Sequence, residues 1–220
     1  MLLQGVYGLW LACNEVRDGK RIQSSQEIPA LVSKYMDGWI EVVQKKVRAR
    51  VHPYSEKWSP PELGWIKVNT DGAVLKGANK GGSGVVLGDH NSAFRGAAAH
   101  FLPSMANPEI VELLACKKAL MFAREIGMSK IHVEMDCKEA VGMINEPCRN
   151  LSVAGSIVED IKSKLLGREG CKVTWNRRTA NKAAHTLAKL AVGEECCQKW
   201  RAMPPECVLH VISDEIPNFD

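Results

Sequence analysis

The spacing of apolar residues divides the chain into a helical opening and a longer alternating part. Leu2, Val6, Leu9, Cys13 and Val16 recur at helical intervals, and after the turn "RDGKR" a second stripe runs through Ile28, Leu31, Tyr35, Trp39 and Val43 to the basic "KKVRAR". This three-and-four spacing predicts two amphipathic helices over 1–51, the second closed by cations that suit a helix C-terminus. "HPYSEKWSPPELG" then sets three prolines close together. Neither a helix interior nor a central strand accepts that, so 52–64 reads as a linker.

From Trp65 the period changes to two. "WIKVNTD" sets Ile66, Val68 and Thr70 against Lys67, Asn69 and Asp71; beyond the glycine-rich "KGANKGGSG" come "VVLG", the turn "DHNS" and "AFRGAAAHFL". The pattern predicts a three-strand meander in which the glycines form a hairpin connection. They do not make a phosphate loop, because the Gly-Lys-Ser/Thr ending is missing and a strand follows where a helix is required. In "NPEIVELLACKKALMFAREIG", Asn107 can cap, Pro108 suits the first turn and Gly127 ends the helix. "KIHVEMD" alternates again, followed by a short helix from about Lys138 to Asn145 and another through Ile157, Ile161 and Leu165 that stops at Gly167. The strand "CKVTW" leads through "NRRTA" into the helix "NKAAHTLAKLAV". Strands joined through helices run parallel, so 65–193 is expected to be an α/β unit.

Parity gives the candidate chemistry. Asp71 lies opposite the Ile66/Val68/Thr70 face and Asp136 opposite Ile131/Val133/Met135, each at the carboxyl end of its strand. Adjacent parallel strands would bring the two carboxylates together where open α/β sheets carry their sites. Glu112, flanked by Val111, Leu113 and Leu114, needs a hydrogen bond, a partner or a cation in so apolar a setting. Three close carboxylates repel unless a divalent metal supplies charge, and Mg²⁺ suits such hard oxygen ligands better than zinc does. Taken singly, Asp71-Gly72 also reads as a turn, Asp136 as a helix cap and Glu112 as a solvated helix edge. Their joint placement favours a shared site.

"WIKVNTDGAV", "NPEIVELLACKKAL", "IHVEMDCKEAV" and "TANKAAHTLAKLA", together with the "W-PPELGW" lead-in, resemble the plant branch of the type 1 ribonuclease H domain. This is the reverse-transcriptase-like domain of non-LTR retrotransposons and their free-standing relatives. The resemblance spans about 65–193 and implies a five-stranded mixed sheet flanked by helices, three strands antiparallel and the last two parallel to the first. It implies a metal-dependent endonuclease that cuts the RNA strand of RNA/DNA hybrids, with Asp71, Glu112 and Asp136 as catalytic metal ligands for Mg²⁺, or Mn²⁺. His185 stands in "NKAAHTLA" where the family often has a fourth aspartate, although many plant members also carry histidine there. Imidazole is a poorer Mg²⁺ ligand than carboxylate but an acceptable one for Mn²⁺. A loop histidine used elsewhere in the family falls near Trp175, which reads as packing. Lys138, Arg177, Arg178, Asn181 and Lys182 are the expected substrate-binding residues, with ordinary surface solvation as the alternative for the four cations. The two upstream helices look like the degraded tail of a retroelement polyprotein, and with His185 and the unfilled loop position they motivate the competing expectation, a catalytically impaired retrotransposon-derived module that binds nucleic acid or protein.

Composition narrows the setting. The 220 residues are 45% hydrophobic and 25% charged, enough to bury one core. Residues 65–193 hold 18 basic and 12 acidic side chains, and 194–220 hold 2 and 6, so the basic part coincides with the α/β unit while the tail is acidic. That polarity suits a polyanionic partner. The tail is expected either to add a strand or to hang free. Eight scattered cysteines without metal-knuckle spacing read as reduced thiols. The opening lacks a basic n-region and no stretch reaches the roughly 20 apolar residues of a membrane span, so neither a signal peptide nor a span is expected; with the reduced thiols this suits an intracellular setting, nuclear or cytoplasmic, and a monomer is the expected state.

Overall fold

The computed structural model describes residues 57–166 and 170–215. The chain divides into two units, Met1–Pro53 and Tyr54–Asp220, and every described residue belongs to the second. The two expected N-terminal helices, the stop at Gly167 and residues 216–220 lie outside the described residues.

Strands β1 (Ile66–Leu75), β2 (Lys80–Asp89) and β3 (Phe94–Pro103) form the antiparallel meander. Helix α1 (Pro108–Glu125) then crosses to β4 (Ile131–Met135), which pairs parallel with β1, Ile66 opposite Ile131 and Thr70 opposite Met135. Helices α2 (Lys138–Asn145) and α3 (Gly155–Leu166) lead to β5 (Cys171–Trp175), parallel to β4. A 3₁₀ turn at Arg178–Ala180 precedes α4 (Lys182–Glu194). The five expected strands thus have the expected directions. A sixth, β6 (Cys197–Trp200), pairs antiparallel with β3, giving the order β5-β4-β1-β2-β3-β6. The acidic tail therefore adds a strand, and α5 (Glu206–Glu215) follows it.

Local sequence explains the helix that carries one candidate ligand. Asn107 Oδ1 accepts the Ile110 N–H at 3.2 Å, Pro108 opens the first turn, and the chain leaves through Gly127 at φ +79°, a conformation glycine adopts without a Cβ penalty. Leu113, Cys116, Leu120 and Phe122 are then buried with Val68, Val133 and Ile161 in the larger core. A second core, on Trp58, Ala97, Leu187, Val208 and Ile212, joins α4 and α5 and so depends on the tail. Among the described residues no helix is long and apolar enough to cross a membrane.

One expectation needs correction. Gly81, Gly82 and Gly84 are not a hairpin connection but lie inside β2, and β1 runs on past Asp71 to Leu75 to pair with them. For Gly82 and Gly84 the physical reason is the approach of α4, whereas Gly81 faces Val111 and Met105. A Cβ on Gly82 would stand 2.5 Å from Ala188 O, and one on Gly84 would stand 2.5 Å from Ala188 N. The strand carries glycine because a helix backbone rests directly on it.

Candidate metal centre

The parallel pairing of β1 with β4 sets Asp71 beside Asp136, one step beyond Thr70 and Met135. Gly72 provides the third contact. A Cβ there would lie 2.9 Å from both Glu112 N and Val111 Cγ1, so the first turns of α1 sit against β1, and Glu112 Oε2 accepts the Gly72 N–H at 3.2 Å. Ligand atoms of Asp71, Glu112 and Asp136 lie within 4.8 Å of one another. None of the three ordinary readings holds. Asp71 is inside a strand, Glu112 is half-buried and bonded to the sheet, and the α2 N-cap is Cys137, without a side-chain cap.

The electrostatics follow from burial and crowding. Burial, then the charges of Asp71 and Asp136, push the Glu112 carboxyl up to about 9, against a smaller downward pull from the Gly72 N–H. Asp136 is raised to about 6, first by burial and then by Asp71, while Arg178 and His185 pull it down. Asp71 is fully buried; its Oδ2 meets His185 Nδ1 at 2.6 Å, and its Oδ1 has no hydrogen-bond donor among the described residues. A buried carboxylate oxygen left without a donor is costly, as is mutual repulsion among three acids. A hard divalent cation relieves both, so the donor set fits Mg²⁺ or Mn²⁺ chemistry.

His185 reaches Asp71 because α4 lies low on β2, where Gly84 pairs with Asp71 itself. The contact arises from an antiparallel neighbour and a helix 100 residues further on, which alternation alone does not reveal. Arg178 Nε stands 3.1 Å from Asp136 Oδ2 at the exposed rim. Arg177 and Lys182 are exposed nearby on the same segment, and the Lys138 ammonium lies 4.2 Å from the Trp175 ring centroid. Trp175 donates Nε1–H to Asp136 O at 2.9 Å and packs on the larger core, in keeping with its reading as a packing residue. Asn181 does not face outward. It is 2% exposed and donates Nδ2–H to Thr70 O at 3.0 Å, tying the start of α4 to β1.

Lys67, Asn69, Glu134 and Asn176 were not singled out by the alternation, yet all four are buried on the face that carries Asp71 and Asp136. Their signal was the same parity: Lys67 and Asn69 precede Asp71 by four and two residues, and Glu134 precedes Asp136 by two. An alternating strand suggests a solvated polar face. Here Trp58 and the segment after β5 cover it, with Trp58 Nε1–H donating to Asn69 Oδ1 at 2.7 Å.

Comparison with known proteins gives the same fold. A ribonuclease H1 of the halophilic archaeon Halobacterium salinarum superposes with a TM-score of 0.55 at 17% identity, covering 60% of this chain and 99% of that one. The compost-derived LC11 ribonuclease H1, solved in complex with an RNA/DNA hybrid, gives 0.53 at 18% identity, covering 59% and 98%. An Arabidopsis thaliana protein named as a ribonuclease H protein is 32% identical over 134 residues, 61% of this chain; the chain spans 22% of that protein's length. Residues 69–191 match the family model described as reverse transcriptase-like.

Proposed function

We propose, from the premise that the chain belongs to the reverse transcriptase-like family over residues 69–191, that it is a metal-dependent endonuclease hydrolysing the RNA strand of RNA/DNA hybrids. The observation that carries this reading is the convergence of Asp71, Glu112 and Asp136 from three separate elements to within 4.8 Å. It is supported by the names of its relatives, a ribonuclease H protein and a ribonuclease H1 bound to an RNA/DNA hybrid. In this reading 65–193 is the ribonuclease H-like unit, 52–64 a linker, 1–51 a retroelement-derived extension and 194–220 an acidic appendage. The protein acts as an intracellular monomer.

Asp71, Glu112 and Asp136 would hold the cation, Mg²⁺ or Mn²⁺. Once bound, it supplies Lewis-acid charge for phosphoryl displacement. The chain's own residues do the rest. Asp71 offers the buried Oδ1 while His185 holds its Oδ2, fixing the carboxylate's orientation. The Gly72 N–H fixes Glu112 in the same way. Lys138, Arg177, Arg178 and Lys182 supply cations for the phosphates along the duplex, which position the substrate without reading its sequence. Asn181 serves the substrate indirectly, by fixing the helix that bears His185.

The test is cleavage of a labelled RNA/DNA hybrid in Mg²⁺ and separately in Mn²⁺, with Asp71→Asn alongside. Metal-dependent product that vanishes in the variant is expected. Folded protein that binds the hybrid with steep salt dependence but never cuts it would replace this reading with the binding-module one.

A further inference from the structure

A second group of buried polar side chains lies beneath the metal centre, and no metal-ligand role accounts for it. Glu134, 6% exposed, accepts Lys67 Nζ–H on Oε1 at 2.8 Å and Asn176 Nδ2–H on Oε2 at 3.1 Å, with Asn69 Nδ2 at 3.4 Å. Lys67 itself is 3% exposed. A buried ion pair returns little net stability, and well-packed apolar residues of similar volume often do as well or better. Hydrogen-bond direction is what an apolar pair cannot supply.

The bonds converge on one segment. Residues 176–181 link β5 to α4; besides the backbone bond from Asn176 N–H to Met135 O at 2.9 Å, three side-chain tethers hold them. Asn176 is held by Glu134, Ala180 O accepts from Asn69 Nδ2 at 3.3 Å, and Asn181 is held by Thr70 O. Asn176 Oδ1 also accepts the Arg177 N–H at 2.8 Å, so the tether passes directly into the arginine backbone. Between the tethers, Arg177 and Arg178 are exposed, Arg178 reaching Asp136.

We propose that Glu134 and Asn176 are positioning residues, through which the buried Lys67–Glu134 pair holds Arg177 and Arg178 beside the acidic cluster to receive the phosphate backbone of the duplex. The inference rests on the nuclease reading for the identity of that duplex. Neither residue touches substrate; both act through the two arginines.

Asn176→Ala cuts the side-chain tether while leaving the Lys67–Glu134 pair and the backbone bond to Met135 O intact, and Asn176→Ser, too short to span to Glu134, repeats the test should the alanine variant not fold. Hybrid affinity is measured by fluorescence anisotropy in chelator, KM and kcat in Mg²⁺, and amide exchange across 177–181. Asn176→Ala is expected to weaken binding and raise KM by about tenfold, with kcat within about twofold and faster exchange at 177–181. In an Arg177→Ala/Arg178→Ala background it should change affinity by less than about twofold, the non-additivity of residues acting as one unit. A purely structural role predicts the opposite, the same loss with or without the arginines, and that result overturns the proposal, as does unchanged affinity and exchange. Wild type that binds but does not cut sinks the nuclease reading while the affinity cycle still decides this one. Wild type that does not bind the hybrid overturns both.

Discussion

Gly84→Ala tests whether the candidate centre depends on how low α4 sits. Gly84 pairs with Asp71 across the β1–β2 ladder and faces α4. A Cβ added there would stand 2.5 Å from Ala188 N and 2.8 Å from Leu187 Cβ, with Ala184 O closer still. Ordinary contact begins at 3.4 Å, so the helix backbone must retreat by about 1 Å or more, because no flexible side chain is available to give way. His185, next to Ala184, moves with it and the 2.6 Å contact to Asp71 opens. Overpacking of this kind costs about 1–3 kcal/mol. For a domain of this size that lowers Tm by roughly 2–12 °C. A 1 Å misplacement near the chemistry costs on the order of 10²-fold in rate. The assays are urea unfolding and hybrid cleavage. Gly142→Ala is the control: it sits inside α2 with open space around its Cβ, and should stabilise by about 0.5–1 kcal/mol. Gly84→Ala protein within 0.5 kcal/mol of wild type, cutting at the wild-type rate, would refute the close-approach argument.

Three further outcomes follow from the same structure. In chelator, Glu112→Gln should be more stable than wild type at pH 7.5, and the difference should shrink as pH falls. Glu112 and Asp136 titrate at about 9 and about 6 in the fold, above their unfolded values, so the folded state binds more protons and wild-type stability falls as pH rises from about 4 toward 9. Mg²⁺ should then raise the wild-type Tm and leave the variant nearly unmoved; equal shifts would remove Glu112 from the ligand set. His132 is held down to about 4, first by burial, and its Nε2 lies 2.7 Å from Thr174 Oγ1. It is neutral in the fold, so stability is full above about pH 6.5 and is lost by on the order of 2–3 kcal/mol as pH falls toward 4. His132→Gln should flatten that acid limb, and an unchanged limb in urea titrations would contradict it. Ile212→Ala, at a position 3% exposed in the second core, should cost about 2–4 kcal/mol in urea unfolding; a loss under 0.5 kcal/mol would mean that α5 does not complete that core.

Alternation alone settled the order of strands and helices and the faces from which Asp71 and Asp136 emerge, because side-chain direction repeats every two residues in a strand whatever the partner. The Asn107–Pro108 start of α1 was legible for a similarly local reason, since cap and first turn are made by adjacent residues. Which strands are neighbours, and therefore that Asp71 meets Asp136, is not a local property; it took the β1–β4 pairing across 65 residues, Ile66 opposite Ile131. The glycines of β2 show why the rest was hidden. Locally they favour a turn, and it is the backbone of α4, arriving about 100 residues later, that makes Gly82 and Gly84 the required strand residues. Lys67, Asn69 and Glu134 read locally as a solvated face, and it takes Trp58 and the return of 176–181 over them to turn that face into a buried network. Local propensity acts within a few residues, whereas burial is decided by whichever distant segment comes to lie on top.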